Sequence, residues 1–115
     1  MFRFERLEIW QVACDIGSDL CDLADFIEEL KRYRFAEQLR AAALSISNNI
    51  AEGSGSHSPH EFKSFLNYAR RSAFECASMV AFFTRRGLLT ADQRQVQMAA
   101  LDSLCRKITS FSKTL

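Results

Sequence analysis

The chain has 115 residues, 48% of them hydrophobic and 25% charged, with a formal net charge of +1; this size fits a single domain, residues 1–115, whose core needs no disulfide or metal to hold it together. A single proline and four glycines argue against a turn-rich fold and favour long helices. No segment approaches the ~20 apolar residues of a membrane span, and the charged start is unlike a signal peptide, so we expect a cytoplasmic protein without a membrane partner.

Helix 1 is predicted from about Leu7 to Leu30, with two apolar rows at helical spacing that together cover a wide arc. The first row is Trp10, Ala13, Gly17, Leu20, Ala24 and Ile27, and the second is Ile9, Ile16, Leu23 and Leu30. Such an arc predicts contacts with two neighbouring helices. The other side is acidic: residues 1–30 hold two basic and eight acidic residues, a charge of −6, which leaves +7 for the rest of the chain.

Helix 2 is predicted from about Phe35 to Ala51, with small residues at its centre that let another helix approach closely. Asn48 and Asn49 are expected to interrupt this helix just before Gly53 ends it. Asn49 falls on the apolar face, where its amide needs partners, so we expect it to satisfy backbone groups at the end of the helix while Glu52 pairs with a nearby basic side chain. The alternative is a polar ligand site at this corner. Residues 53–57 are the one clear loop.

Helix 3 is predicted from Pro59 to about Arg86, and helix 4 from about Ala91 to Ser112. Each begins with a capping signal, and Gly87 is the stop between them. The capping pairs are Ser58 with Glu61 and Thr90 with Gln93. The core stripe of helix 4 is predicted as Val96, Ala100, Leu104, Ile108, Phe111 and Leu115. Since no strand pattern appears and the connections are mostly short, we predict an all-α fold, an antiparallel up-and-down four-helix bundle.

Motifs for catalysis, cofactor binding and metal binding are missing from the chain. No serine lies in a G-x-S-x-G elbow, and Gly53 and Gly55 lack the lysine and the spacing of a P-loop. His57 and His60 have no further ligands at compatible spacing. The four cysteines contain no C-x-x-C pair, so we expect buried, reduced thiols. The sequence therefore predicts a non-enzymatic protein without a cofactor or a metal.

A polar signature extends over helices 2 and 3: Gln38, Arg40, Ser45, Asn49, Glu52 and Gly53, then Ser72 and Glu75. Through these residues the chain resembles the four-helix-bundle proteins encoded in intervening sequences of bacterial 23S ribosomal RNA genes. The resemblance implies an antiparallel four-helix bundle that assembles as a homopentamer. It extends to an accessory protein of diversity-generating retroelements, a basic pentamer that binds reverse transcriptase and nucleic acid. Arg71 stands where the family usually has glycine, and it either points outward or prevents close packing there.

The leading hypothesis is a homo-oligomeric ring, a pentamer, that serves as an interaction scaffold, because the helices carry more apolar surface than one bundle needs. Its interface candidates are Ile9, Ile16, Leu23, Phe74 and Phe82. The alternative is a nucleic-acid-binding accessory protein that acts with an RNA- or DNA-processing partner. Its candidates are Lys63, Arg70, Arg71, Arg85 and Arg86, while Lys31, Arg32 and Arg34 cluster at the joint of helices 1 and 2. The near balance of charge favours pairing of the cations with the helix 1 acids of the next subunit.

Overall fold

Four long helices run up and down along a bundle whose extents are 44 × 21 × 20 Å. The computed structural model describes all of residues 1–115. Its elements are a 3₁₀ turn at Arg3–Arg6 and the helices α1 (Glu8–Glu29), α2 (Tyr33–Ser54), α3 (Pro59–Arg85) and α4 (Ala91–Ser112). No strand is present, and the short connections make successive helices antiparallel. The predicted all-α four-helix bundle is confirmed.

Each helix packs against two neighbours around one core. α1 contacts α2 and α4, and α3 contacts the same two helices from the opposite corner of the bundle. The wide apolar arc of α1 is therefore covered within the chain, as its two apolar rows predict. The core contains 24 buried residues drawn from all four helices and from Leu89, which precedes α4.

Ion pairs connect α1 to both of its neighbours. The guanidinium of Arg40 on α2 forms ion pairs with Asp25 at 2.6 Å and with Glu28 at 3.0 Å. These hydrogen bonds raise the pKa of the guanidinium. Lys107 of α4 donates to Glu8 Oε1 at 2.6 Å and lowers the pKa of that carboxyl. Because these groups lie at the surface, the pairs contribute little stability and mainly hold the helices in register.

The prediction that Asn48 and Asn49 interrupt the second helix is wrong, because α2 continues through Gly53 to Ser54. Asn49 Nδ2 donates to the backbone oxygen of Ser45, one turn earlier, at 2.8 Å. The amide is therefore satisfied without breaking the helix. The helix also begins earlier than expected, at Tyr33.

The N-terminal caps of α3 and α4 are formed to different degrees. Thr90 Oγ1 accepts from the Gln93 N–H at 3.1 Å, and Gln93 Oε1 accepts from the Thr90 N–H at 2.8 Å, so this predicted capping box is complete. Ser58 Oγ accepts from the Glu61 N–H at 3.1 Å, but the Glu61 carboxylate does not return the bond. The start of α3 therefore rests on its serine cap and on Pro59 in the first turn.

The core face of α4 is offset from the predicted stripe. Val96, which was expected in the core, is 61% exposed, whereas its neighbour Gln97 is buried. The buried residues of the helix are Gln97, Leu101, Leu104, Cys105 and Ile108. A glutamine at a core position breaks the apolar pattern, and this displaced the predicted stripe towards Val96.

The two connections at one end of the bundle close with the same C-terminal motif. After α1, the Arg32 N–H donates to the Ile27 oxygen at 3.2 Å, and an equivalent bond follows α3. The motif requires one residue with positive φ, which is Gly87 after α3 (φ 76°) and Lys31 after α1 (φ 65°). A lysine in this left-handed conformation costs about 1 kcal/mol relative to the right-handed one, because its Cβ crowds the backbone.

We expect Lys31→Gly to raise the free energy of unfolding by about 0.5–1 kcal/mol, since it removes this crowding. Urea unfolding followed by circular dichroism measures the change. The mirror substitution, Gly87→Lys, should lower the free energy of unfolding by at least the same amount. A Lys31→Gly protein that is less stable than the original would contradict the assignment of strain.

The four cysteines are free thiols. Cys76 is fully buried, and desolvation raises its pKa to about 12. Burial also raises the pKa values of Cys14 and Cys105. Protonated thiols in apolar surroundings are inert as nucleophiles at neutral pH. No group of three or more His, Cys, Asp or Glu side chains is arranged to hold a metal ion, and no helix has an apolar stretch long enough to cross a bilayer.

Candidate functional site

Four of the signature residues meet where α2 faces α3. Ser45 Oγ lies 2.9 Å from Ser72 Oγ on the opposite helix, and Asn49 Nδ2 donates to Ser45 Oγ at 3.0 Å. Glu75 and Arg71 lie at the rim of the open cleft of about 440 Å³ that these side chains line. Arg71 is exposed, in line with the outward orientation. The hydroxyl and amide groups satisfy one another, so this cluster joins α2 to α3.

The other four signature residues lie elsewhere in the bundle. Arg40 faces α1 through its two ion pairs, and Gly53 is buried against the first turns of α3. Gln38 and Glu52 are exposed and make no side-chain hydrogen bond or ion pair, so the expected pairing of Glu52 with a cation is wrong. The signature therefore serves several contacts between helices and does not form one site.

An open groove of about 650 Å³ lies between α3 and α4. Its walls include Phe74 on α3 and Met98 on α4, and it continues past Arg70 towards Lys63. The Arg70 guanidinium carbon lies 5.0 Å from the centroid of the Phe74 ring, a cation–π contact. Phe74 remains 58% exposed. The groove combines an apolar surface with positive charge.

A regular stripe of side chains along α3 forms one wall of this groove. The α3 stripe is Lys63, Asn67, Arg70, Phe74 and Ala77. Its members alternate by four and three positions, which keeps them on one face of the helix. Lys63 and Arg70 form no ion pair within the chain. Two cations and an exposed aromatic ring are therefore available to a partner.

A stripe of opposite charge follows the outer side of α1. The α1 stripe is Asp15, Asp19, Asp22, Phe26 and Glu29, and all five residues are exposed. None of its four carboxylates forms an ion pair within the chain. Its members also alternate by four and three positions, with phenylalanine in fourth place as in the α3 stripe. The sequence indicated an acidic side of helix 1, but not this correspondence with α3.

The predicted nucleic-acid-binding residues are divided among three surfaces. Lys63 and Arg70 lie on the α3 stripe, whereas Arg71 lies at the cleft between α2 and α3. Arg85 and Arg86 are exposed at the C-terminal end of α3. The five residues therefore do not form one patch.

The predicted interface residues are also divided. Ile9 and Ile16 are buried in the core, so their assignment to an oligomer interface is wrong: except for Leu30, which is exposed, the two apolar rows of α1 face the interior of their own chain. Leu23 is partly buried against that core. Phe74 and Phe82 are 58% and 50% exposed, and they lie on different sides of α3, the first beside Arg70 and the second beside Phe35 of α2.

The comparison with known proteins agrees with the four-helix fold. The model of the 23S rRNA-intervening sequence protein family matches residues 5–110. The chain belongs to this family. A crystal structure from the S23 ribosomal protein family of Bacteroides thetaiotaomicron, described as a protein with unknown function, is similar with a TM-score of 0.86 at 21% identity, covering 91% of this chain and 98% of that one. At this identity the likeness establishes the fold alone. None of the curated proteins matches the chain.

In this family member, the shifted titratable groups have structural causes. They are Glu8, Cys14, Arg40, Cys76 and Cys105. Surface ion pairs shift Glu8 and Arg40, and burial shifts the three thiols. An enzyme's acid or base is usually a shifted group in a cleft beside a second reactive group. Of the five, Cys105 lines the groove between α3 and α4, and burial raises the pKa of its thiol, which keeps it protonated at neutral pH.

Proposed function

We propose that this family member is a non-enzymatic interaction scaffold whose copies associate through the α1 stripe of one copy and the α3 stripe of the next. The supporting observation is the shared order of the two stripes. Asp15 and Asp22 correspond to Lys63 and Arg70, and Phe26 occupies the place of Phe74, while Asp19 and Glu29 face the uncharged Asn67 and Ala77. The two stripes together supply the charge complementarity and the apolar contact that a specific interface uses.

The charges and the rings contribute differently to this association. The pairing of Asp15 and Asp22 with Lys63 and Arg70 steers the encounter and fixes the register of the two helices, with modest net energy. Burial of the exposed parts of the two phenylalanines, beside the apolar floor of the groove, supplies more of the affinity, at about 25 cal/mol per Å² of apolar area removed from water.

The topology makes this association head-to-tail. The α1 and α3 stripes are different surfaces, so each copy offers one to each neighbour, and such interfaces form rings when their rotation closes. α1 and α3 run in the same direction within the chain, so α1 of one copy lies parallel to α3 of the next if the ring axis is parallel to the bundle. Five copies is the number that the family resemblance implies.

A charge exchange tests this interface. We expect light scattering coupled to size exclusion to give about five times the 13.1 kDa chain mass. The protein concentration is about 100 μM, and the salt is 50 mM NaCl, at which surface charges are weakly screened. Arg70→Glu alone and Asp22→Arg alone should each reduce that mass. The two substitutions combined in one chain should restore it, because each interface uses residue 70 of one copy and residue 22 of the next.

Arg86→Glu is the matched control, since it reverses an exposed arginine just after α3 and outside the α3 stripe, and it should leave the assembly mass unchanged. Circular dichroism confirms that each variant is folded. A wild-type protein of 13.1 kDa at this concentration would contradict association. An unchanged mass for Arg70→Glu would contradict this choice of surfaces.

The alternative function, a nucleic-acid-binding accessory protein acting with an RNA- or DNA-processing partner, has weaker support from the residues first assigned to it, because they lie on three surfaces. Two of them, Lys63 and Arg70, belong to the α3 stripe and are covered in the proposed assembly. The protein partner in this hypothesis remains a prediction, and co-purification with the chain tests it.

A further inference from the structure

One end of the bundle concentrates cations that form no ion pair within the chain. The connection between α1 and α2 and the C-terminal end of α3 both lie there, because successive helices are antiparallel. They bring together five exposed cations: Lys31, Arg32, Arg34, Arg85 and Arg86. None of the five forms an ion pair, although Glu29, Glu37 and Asp92 belong to the same end. We name this surface, with Tyr33 and Phe82, the arginine end.

Two aromatic side chains are exposed among these cations. Tyr33 is 58% exposed at the start of α2, and Phe82 is 50% exposed one turn before the end of α3. Phe82 is held in place by Phe35, whose ring centroid lies 6.0 Å away at 90°, and Phe35 packs in turn on Phe83 at 5.2 Å. This contact also joins the two segments that supply the cations. The Phe82 ring therefore packs on Phe35, and half of the side chain remains exposed to solvent.

We propose that the arginine end binds single-stranded nucleic acid, with Tyr33 and Phe82 stacking on bases and the cations contacting phosphates. Exposed aromatic rings among positive charges suit unpaired bases, whose faces are accessible, whereas the stacked bases of a duplex are not. Four of the five cations are arginines, whose planar guanidinium groups stack on bases and bind phosphate with two hydrogen bonds.

The position of the site makes it independent of the proposed assembly. The α1 and α3 stripes follow the sides of the bundle, and the arginine end lies at its tip, which only Glu29, the last member of the α1 stripe, reaches. In a ring whose copies are parallel, the arginine ends all lie on one face. A long strand then contacts several copies, and its affinity exceeds that of a single site.

Binding is tested by fluorescence anisotropy with labelled twelve-nucleotide oligo(U) and oligo(dT), at NaCl concentrations from 20 to 200 mM. We expect saturable binding whose log affinity falls with log salt at a slope of about −3 to −4, the value for five phosphate contacts on a single strand. Tyr33→Ser should weaken binding about five- to tenfold, since it removes one stacking platform. Tyr33→Phe should retain wild-type affinity, because it retains the ring.

Charge variants separate this site from nonspecific attraction. Arg85→Ser with Arg86→Ser should weaken binding about tenfold and make the salt slope shallower by about 1.4. The matched control, Arg6→Ser with Lys113→Ser, loses the same charge from two exposed residues without ion pairs at the opposite end of the bundle, and it should change affinity less than about twofold. Arg70→Glu should retain the dependence on Tyr33 even if assembly is lost, so failure of the proposed assembly is distinguishable from failure of this site.

Several results would overturn the proposal. They are the absence of binding at 20 mM NaCl, equal effects of the test and control pairs, and an unchanged affinity for Tyr33→Ser. Equal affinity for a twelve-base-pair duplex would show that the Tyr33 and Phe82 rings do not select single strands. Binding of anionic phosphatidylserine vesicles without binding of either oligonucleotide would assign the surface to membranes instead.

Discussion

Gly53→Ala is expected to lower the free energy of unfolding by about 2 kcal/mol, although alanine is the better helix former by about 1 kcal/mol. A Cβ at this position would lie 2.6 Å from Phe65 Cβ and 2.9 Å from Phe62 Cδ1. Neither neighbour moves easily: Phe62 is fully buried, its ring packs on Phe111 at 5.6 Å, and Phe65 Cβ is fixed to the backbone of α3. The substitution therefore forces α2 and α3 apart, and this cost of overpacking exceeds the gain in helix propensity.

Two other glycines of the chain provide matched controls. A Cβ on Gly17 would lie 3.6 Å from the Ala43 oxygen, an ordinary contact, so Gly17→Ala should raise the free energy of unfolding by up to about 1 kcal/mol. Gly55 has its nearest neighbour at 3.4 Å and a right-handed backbone, so Gly55→Ala should change stability by less than about 0.5 kcal/mol. Urea unfolding of the three variants decides the matter. Equal stability of Gly53→Ala and Gly17→Ala would show that α2 and α3 accommodate the added Cβ without cost, which would contradict the prediction.

Gly53 also shows where sequence-based prediction reached its limit. The run from Gly53 to His57 contains two glycines and two serines and is typical of a loop, so the helix was expected to end before it. The structure extends α2 to Ser54, because Gly53 is buried against two phenylalanines that come later in the chain. A residue's tertiary partner is not visible in its local sequence, and here the partner determines the conformation.

Sequence motifs predicted the start of a helix correctly where the residues that fix that start are close together in the chain. Thr90 and Gln93 lie three positions apart and predicted the start of α4 correctly, as Ser58 and Pro59 did for α3. The connection after α1 lacks such a signal, because Lys31 occupies the left-handed position where glycine is usual. Its boundary was correspondingly inexact, and the second helix begins at Tyr33 rather than Phe35.

The candidate surfaces could be recognised only once the fold was known. The acidic side of helix 1 and the basic residues of helix 3 were visible in the sequence, but Ile9 and Ile16 were assigned to an interface because an apolar row does not show which neighbour covers it. The arginine end depends on the contact of Phe35 with Phe82, which brings together segments about 50 positions apart in the chain. Clusters of this kind follow from helix direction and packing, and composition alone does not reveal them.

Gln97→Leu is expected to raise the free energy of unfolding by about 1–2 kcal/mol. Gln97 is only 7% exposed on the core face of α4, and its Oε1 is buried without a hydrogen-bond partner. A buried acceptor without a partner loses its hydration on folding and gains nothing in return. Leucine has a similar helix propensity and lacks the polar atoms, so it joins Leu101 and Leu104 in an apolar stripe.

Thermal unfolding at fixed protein concentration measures this effect, since association of copies makes the melting temperature depend on concentration. The expected increase in Tm is about 3–8 °C for a chain of this size. Gln95→Leu, on the exposed side of the same helix, makes the same chemical change without altering the core and should shift Tm by less than about 2 °C. A lower Tm for Gln97→Leu would mean that the amide oxygen has a partner in solution, and a trapped water is the group that fits such a position.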